Sequence, residues 1–401
     1  MKRIDPALVV ILAGVSAALH VAKLPPALPV LRDAMGITLV QSGFLLSMVQ
    51  LAGMCLGLGV GLMADGIGLK RSMLTGLLLL SAAGAAGGWA ESVESLLVLR
   101  ALEGFGFLLA TTPAPSLVRQ LVPQQRINAM LGLWGAYMPF ATSMALLGGP
   151  LLLAAIGWPG WWWLLALISF LMAVWLWWAV PPMRGWTPGA PAVAVVANVD
   201  DWRRRLVQTL SARGPWLASL SFAVYSSQWL SVMGFLPSIY TQAGVSGVAV
   251  GLLTALAAGV NIIGNVVAGR LVQRGVRPER LLRVGFVAMA LGAFVAFAGG
   301  DAGLAGWRYL GVLGFSMVGG MIPGTLFTLA VRLAPNERTV STTVGWMQQW
   351  SSIGQFAGPP LVGWVASRVG GWHWTWAVTG GFAVLGLLLA SHLGRLERLR
   401  R

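Results

Sequence analysis

Leu28-Pro29-Val30-Leu31-Arg32-Asp33-Ala34-Met35-Gly36 returns later in the chain as Leu236-Pro237-Ser238-Ile239-Tyr240-Thr241-Gln242-Ala243-Gly244. The offset is 208 residues, and it holds without a gap over residues 28–107 against 236–315. Gly43 and Gly251, Gly61 and Gly269, Arg100 and Arg308, Leu102 and Leu310, and Gly106-Phe107 and Gly314-Phe315 fall in register. Identities number 17 in 80 aligned positions. A chain this apolar gives roughly one in ten by chance, so the excess is about twofold. A duplicated, apolar chain of 401 residues implies a two-halved membrane carrier with its site between the halves.

Composition supports a lipid-facing surface. Hydrophobic residues make up 57% and charged residues 10%, with a mean hydropathy of +0.77. Soluble domains carry about 25% charged residues. The net charge of +15 does not mark a nucleic-acid binder, because the basic residues sit in short breaks between long apolar runs. The single cysteine, Cys55, excludes an intramolecular disulfide and a cysteine-based metal site. Met1-Lys2-Arg3 before an apolar run has the look of a secretory signal, but the many runs that follow make it an uncleaved first crossing.

Membrane crossings need about 20 mostly apolar residues. Twelve are expected, near 7–28, 39–60, 72–90, 96–118, 128–154, 160–181, 214–236, 247–268, 281–299, 306–330, 340–364 and 373–392. The expected fold is therefore an all-α membrane protein with two pseudo-symmetric six-helix bundles, residues 1–181 and 214–401, joined by a linker at 182–213. Of 27 Lys and Arg, 22 lie on the side shared by both termini. That asymmetry places both termini in the cytoplasm. The linker holds Asp200-Asp201-Trp202-Arg203-Arg204-Arg205, a charge cluster of the kind that rests on anionic lipid. Trp161-Trp162-Trp163 and Trp372, Trp374 and Trp376 are expected to anchor spans 6 and 12 at the outer interface.

The loop after span 2 reads Gly61-Leu62-Met63-Ala64-Asp65-Gly66-Ile67-Gly68-Leu69-Lys70-Arg71. It resembles the loop 2–3 signature of the major facilitator superfamily, with Gly66 where a basic residue is usual. Its second-half copy, Gly269-Arg270-Leu271-Val272-Gln273-Arg274-Gly275, carries Gln273 at the Asp position. Arg100-Ala101-Leu102-Glu103-Gly104-Phe105-Gly106 in span 4 is similar to the superfamily's arginine-x-x-glutamine-glycine motif, with Glu103 in place of glutamine. Within the superfamily, Pro26 to Arg32, Gly36-Ile37-Thr38 and Gly157-Trp158 look like the cyanate and nitroimidazole permease group. The arginine that group carries in span 1 is absent here, at Ala18, so its substrate does not transfer. The resemblance implies the twelve-span fold, alternating access, and a conformational latch of Gly61, Asp65, Gly68, Lys70 and Arg71, with Arg119 as ion-pair partner.

Ionisable groups inside spans are expensive and mark function by default. Glu103 is the one acidic residue well inside a span, and so the candidate for proton coupling. A structural pair with Arg100, three residues earlier on the same face, is the competing reading. Arg100 and Arg308 occupy equivalent positions, and the superfamily's inner spans 4 and 10 would bring both to one aqueous path. Two guanidinium groups suit an anion; alternatively Arg308 lies at the outer end of span 10 and reaches water. His20 and Lys23 stand one turn apart in span 1 and align with Gln228 and Ser231. His20, Lys23, Gln228, Tyr225 and Asn261 are candidate substrate-binding residues, and His20 can titrate near neutral pH.

No phosphate loop, metal-ligand cluster or nucleophile triad is present. Neither an ATP-driven pump nor an enzyme is expected, and no cofactor or metal. The sequence points to a monomeric, proton-coupled carrier of a small anion in the inner membrane. Proton-driven efflux of hydrophobic compounds and a non-transporting sensor are the alternatives. The partners expected are solute, protons and bilayer.

Overall fold

The computed structural model describes residues 5–399 apart from 124–125, 127–129, 131–132, 182–198, 300–305 and 337–338, and the regular elements among them are all helices. Among the described residues the helices group into twelve crossings. Span 1 is Pro6–Ala22 continued by Leu24–Met35. Span 2 is Leu39–Met48 with Leu51–Ile67, span 3 is Leu69–Gly87, and span 4 is Val93–Thr111 with Ala114–Leu121. Tyr137–Ala179 is one run of 43 residues, but Gly157 has φ 69 and ψ 175 in its middle, which divides it into spans 5 and 6. After a surface helix, Val199–Ser211, come span 7 (Arg213–Gln242), span 8 (Gly247–Gly259 with Asn261–Gln273) and span 9 (Pro278–Phe297). Span 10 is Gly306–Gly319 with Met321–Leu333, span 11 is Val340–Val369, and span 12 is Thr375–Leu399.

Seven of these runs are long and apolar enough to cross a membrane on length and composition alone, Tyr137–Ala179 counting once. Spans 3, 4, 7 and 11 fall outside that group. Their apolar stripes are diluted by glycine, serine and charged or amide side chains that face other helices, so packing identifies them where hydropathy does not.

The repeat is carried into three dimensions at the same offset. Span 1 ends on Gly36 and span 7 is followed by Gly244, both with positive φ (65 and 79). A left-handed residue at a helix end turns the chain without penalty only as glycine. Two residues on, Thr38 caps span 2 through a reciprocal bond with Gln41, and Ser246 takes the same place before span 8. Span 1 runs to Met35, beyond the expected end near 28, because Pro25 and Pro26 sit in the first turn of its second helix, where the missing N–H costs nothing.

The two halves meet at the end distal from the termini. One core there combines Leu24, Leu28, Leu31 and Leu45 of spans 1 and 2 with Phe235 and Val362 of spans 7 and 11. At the terminal end the cores are separate: Met73, Leu117 and Leu176 belong to a first-half cluster, and Ala268, Val272 and Leu281 to a second-half one. Span 11 lies along span 2, where Gln349 donates to Met54 O at 2.9 Å and accepts from Leu58 N at 3.1 Å. Span 5 meets span 8 through Ser143, which donates to Ala255 O at 2.9 Å. Among the described residues the core shared by the two halves thus lies at the distal end.

Candidate functional site

Lys23 occupies the break between the two helices of span 1. Proline at positions 25 and 26 withdraws the two N–H donors that would have bonded the carbonyls of Val21 and Ala22. Side chains take up the carbonyls around the break. Trp161 Nε1 donates to Lys23 O at 3.1 Å, and Arg100 Nη1 donates to His20 O.

The side chains on this stretch converge on one carboxylate. His20 and Lys23 share a face of span 1; Arg100 and Glu103 share a face of span 4. Lys23 Nζ donates to Glu103 Oε1, and His20 Nδ1 lies 3.1 Å from the same oxygen. Arg100 Nη1 donates to Glu103 Oε2 at 2.7 Å. Lys23 Nζ also lies 4.5 Å from the centre of the Trp162 ring. All four ionisable groups are within 1% of complete burial. Span 3 leaves room for them with Gly84, whose Cβ would stand 2.8 Å from His20 Cε1.

A lone charge at this depth costs several kcal/mol, and a paired one survives only with good geometry. Glu103 balances one cation, so with His20 neutral the cluster carries one positive charge in excess. Arg100 also donates from Nε to Leu45 O at 3.4 Å, which leaves Nη2 without an acceptor among the described residues. Arg100 is therefore wedged among spans 1, 2 and 4 with one N–H edge unspent.

On its other edge His20 Nε2 lies 2.9 Å from Ser169 Oγ of span 6, and Ser169 Oγ lies 2.9 Å from Ser16 Oγ. Neither serine stood out in the sequence, because a serine in a membrane helix is ordinarily bonded to its own backbone. Trp161 and Trp162 were expected as an interfacial belt, yet they are 3% and 0% exposed. They pack on the Lys23 segment, and only Trp163 of the three reaches the surface, at 41%.

Among the described residues the second half has no counterpart cluster. Gly311 stands where Glu103 would repeat, and a Cβ there would be 2.8 Å from Gly292 O. Gln228, in the place of His20, donates Nε2 to Val224 O at 3.0 Å, and Ser231, in the place of Lys23, donates to Ser227 O at 2.7 Å. Arg308 departs from the expected pairing with Arg100. It donates to Gly299 O at 3.1 Å and stacks on its neighbour Trp307. Arg308 is half-buried on the described helix Gly306–Gly319, whereas Arg100 is fully buried two turns inside span 4, which begins at Val93. The two equivalent positions thus differ in burial and in partners.

Tyr225 and Asn261 do come together. Asn261 Nδ2 donates to Tyr225 OH at 3.1 Å and to Ser316 O at 2.8 Å, tying spans 7, 8 and 10. The loop 2–3 residues are reached only in part. Gly61 and Asp65 lie on helical backbone and Gly68 has φ 93, but the side chains of 61–67 and of Arg119 lie outside the described residues. Lys70 donates to Trp177 O at 2.8 Å and to Val180 O. It caps the carbonyl end of span 6 in its own half, a favourable place for a cation, instead of reaching across to the other half. Arg71, next to it, is exposed.

Two pseudo-symmetric six-helix halves, a shared distal core and a buried charge cluster in one half define a membrane carrier. The chain belongs to the Major Facilitator Superfamily, whose sequence profile matches residues 7–349. It is 27% identical over 379 residues to the 2-nitroimidazole transporter of Escherichia coli (strain K12), covering 91% of this chain and 88% of that one. It is 28% identical over 266 residues to the multidrug resistance protein MdtH of Yersinia enterocolitica, covering 65% and 63%. Among solved structures, a bacterial homologue of the human lysosomal transporter Spinster, inward-facing and occupied, superposes with a TM-score of 0.78 at 16% identity, covering 97% of this chain and 96% of that one. The unoccupied form of the same homologue gives 0.75.

Proposed function

We propose that this transporter is a proton-coupled secondary carrier of a small solute bearing a carboxylate-like pair of acceptor oxygens, either an organic anion or a nitro compound. The reading rests on one observation above the rest: Glu103, buried inside a span, is held by Lys23, His20 and Arg100 at once. A carboxylate that binds a proton releases those three groups together, and such a step can bias a rocking equilibrium. The cluster's excess positive charge and the unspent edge of Arg100 support a solute rich in acceptor oxygens. The relative that transports 2-nitroimidazole supports the nitro form of the idea.

The rocking units in this proposal are residues 1–181 and 214–401, with 182–213 as the connection. The chain works as a monomer in the inner membrane with both termini cytoplasmic, so the core shared by the halves lies toward the outer side. Gln228, Tyr225 and Asn261 offer polar contacts from the second half, and Asp65 with Arg119 remains the candidate latch. The likeness to a multidrug resistance protein supports a second reading, proton-driven export of a hydrophobic compound. Proteoliposomes with an imposed pH gradient separate them. Accumulation of 2-nitroimidazole or a small carboxylate that collapses with an ionophore supports the first reading. Gradient-driven movement of cationic dyes alone supports the second, and no gradient dependence for any solute overturns both.

A further inference from the structure

We infer that His20, Ser169 and Ser16 form a proton relay through the interior of the first half, which serves Glu103 from the side away from the solute path. The inference rests on the proton-coupled reading above and adds the route the proton takes. The contacts are continuous: Glu103 Oε1 to His20 Nδ1 at 3.1 Å, His20 Nε2 to Ser169 Oγ at 2.9 Å, and Ser169 Oγ to Ser16 Oγ at 2.9 Å. His20 and Ser169 are fully buried, and Ser16 is 3% exposed. Span 4 presents Glu103 and Arg100, span 1 itself presents Lys23, span 6 presents Ser169, and span 3 presents Gly84, which carries no charge.

The choice of hydroxyls carries the argument. A backbone carbonyl at Nε2 would fix that nitrogen as a donor and turn the bare Nδ1 lone pair of a neutral ring toward the carboxylate. A hydroxyl both donates and accepts. With Ser169 at Nε2, the neutral ring keeps its proton on Nδ1 facing Glu103, and Nε2 accepts from the Ser169 hydroxyl. The Ser169 oxygen in turn accepts from Ser16. Transfer then balances: the Nδ1 proton passes to Glu103, the Ser169 proton to Nε2, the Ser16 proton to Ser169, and Ser16 regains one from a hydronium ion. Glu103 gains one proton and each relay residue keeps its count, the His20 ring passing from its Nδ1–H to its Nε2–H tautomer.

Toward the termini the relay stops at an apolar layer of Ala13, Ala17, Ala173 and Leu176. That layer seals it in the present arrangement, which prevents an uncoupled leak. The second half cannot relay in the same way. Its Gln228 is an amide, and Gly311 offers no carboxylate.

The test uses the full-length chain in proteoliposomes with a trapped pH dye and labelled 2-nitroimidazole as probe. Ser169→Ala is expected to lose tenfold or more of gradient-driven accumulation and of solute-induced pH change, while solute-for-solute exchange stays within about twofold of wild type. Ser169→Thr, which keeps the hydroxyl, is expected to recover at least half of both lost signals. Ser16→Ala should follow Ser169→Ala. Full accumulation by the Ser16→Ala, Ser169→Ala double variant overturns the relay. Loss of exchange together with accumulation, unrescued by threonine, also overturns it, since that outcome marks a packing role. A wild-type chain that exchanges the probe without moving protons refutes the proton-coupled reading, and the relay falls with it.

Discussion

Replacing Glu103 by glutamine keeps the shape of the side chain and removes its charge. In the wild-type cluster Arg100 and Lys23 are offset by Glu103, so with His20 neutral one positive charge is in excess within the cluster. Glu103→Gln raises that excess to two, with every member still buried. Removing one partner of a buried ion pair costs about 3–5 kcal/mol, because the other charge is left uncompensated. For a unit the size of a six-helix half, each kcal/mol shifts the melting temperature by about 2–4 °C, so the drop should be roughly 6–20 °C. A second change, Lys23→Met, restores the excess to one. The double variant should therefore melt above Glu103→Gln alone, with a coupling energy of about 1–3 kcal/mol. The assay is thermal unfolding of purified protein in detergent for the wild type, both single variants and the double. Additivity within about 0.5 kcal/mol would mean that the two charges do not interact, and the electrostatic reasoning would be wrong.

Other expectations follow from the same contacts. Arg100→Ala should destabilise the protein by about 3–5 kcal/mol, since it frees Glu103 and two carbonyls, whereas Arg308→Ala should cost about 1 kcal/mol and leave transport intact; equal effects in melting and uptake would restore the symmetric pairing. Gly311→Ala should cost about 1–3 kcal/mol, because its Cβ would meet Gly292 O at 2.8 Å; an unchanged melting temperature would contradict that contact. Lys70→Met should cost about 1–2 kcal/mol by uncapping span 6 at Trp177 and Val180, and a variant as stable as wild type would show that the cap is dispensable. Gly36→Val forces a β-branched residue to φ 65 and should destabilise the turn between spans 1 and 2 by at least about 1–2 kcal/mol, read in the same unfolding assay.

The fold was legible because its signals are long-range and redundant. The offset of 208 aligned Gly36 with Gly244, which turn the chain, and Thr38 with Ser246, which hold the N-cap positions, Thr38 alone with a side-chain cap bond. Single-residue placement was less legible, because equivalent positions in the two copies have different surroundings. Arg100 is fully buried against Glu103, whereas Arg308 is half-buried against Gly299 O and Trp307. The pairing of Glu103 with Arg100 could be read from their spacing of three, and His20 and Lys23 from their one-turn separation. What joined them could not. Trp161, Trp162, Ser169 and Gly84 reach the cluster from distant parts of the chain, Ser16 joins it only through Ser169, and each is ordinary in a membrane helix. Their convergence is a property of packing, which periodicity in one helix does not encode.

Glu103 itself decides whether the buried cluster drives transport or only holds the first half together. The measurement is solute-induced proton flux into proteoliposomes for Glu103→Gln beside the wild type, with solute exchange recorded in the same vesicles to certify folded protein. Proton coupling through Glu103 predicts that the variant moves no protons above background while exchange persists. Proton flux at the wild-type rate in Glu103→Gln would contradict it and leave the cluster a structural ion pair.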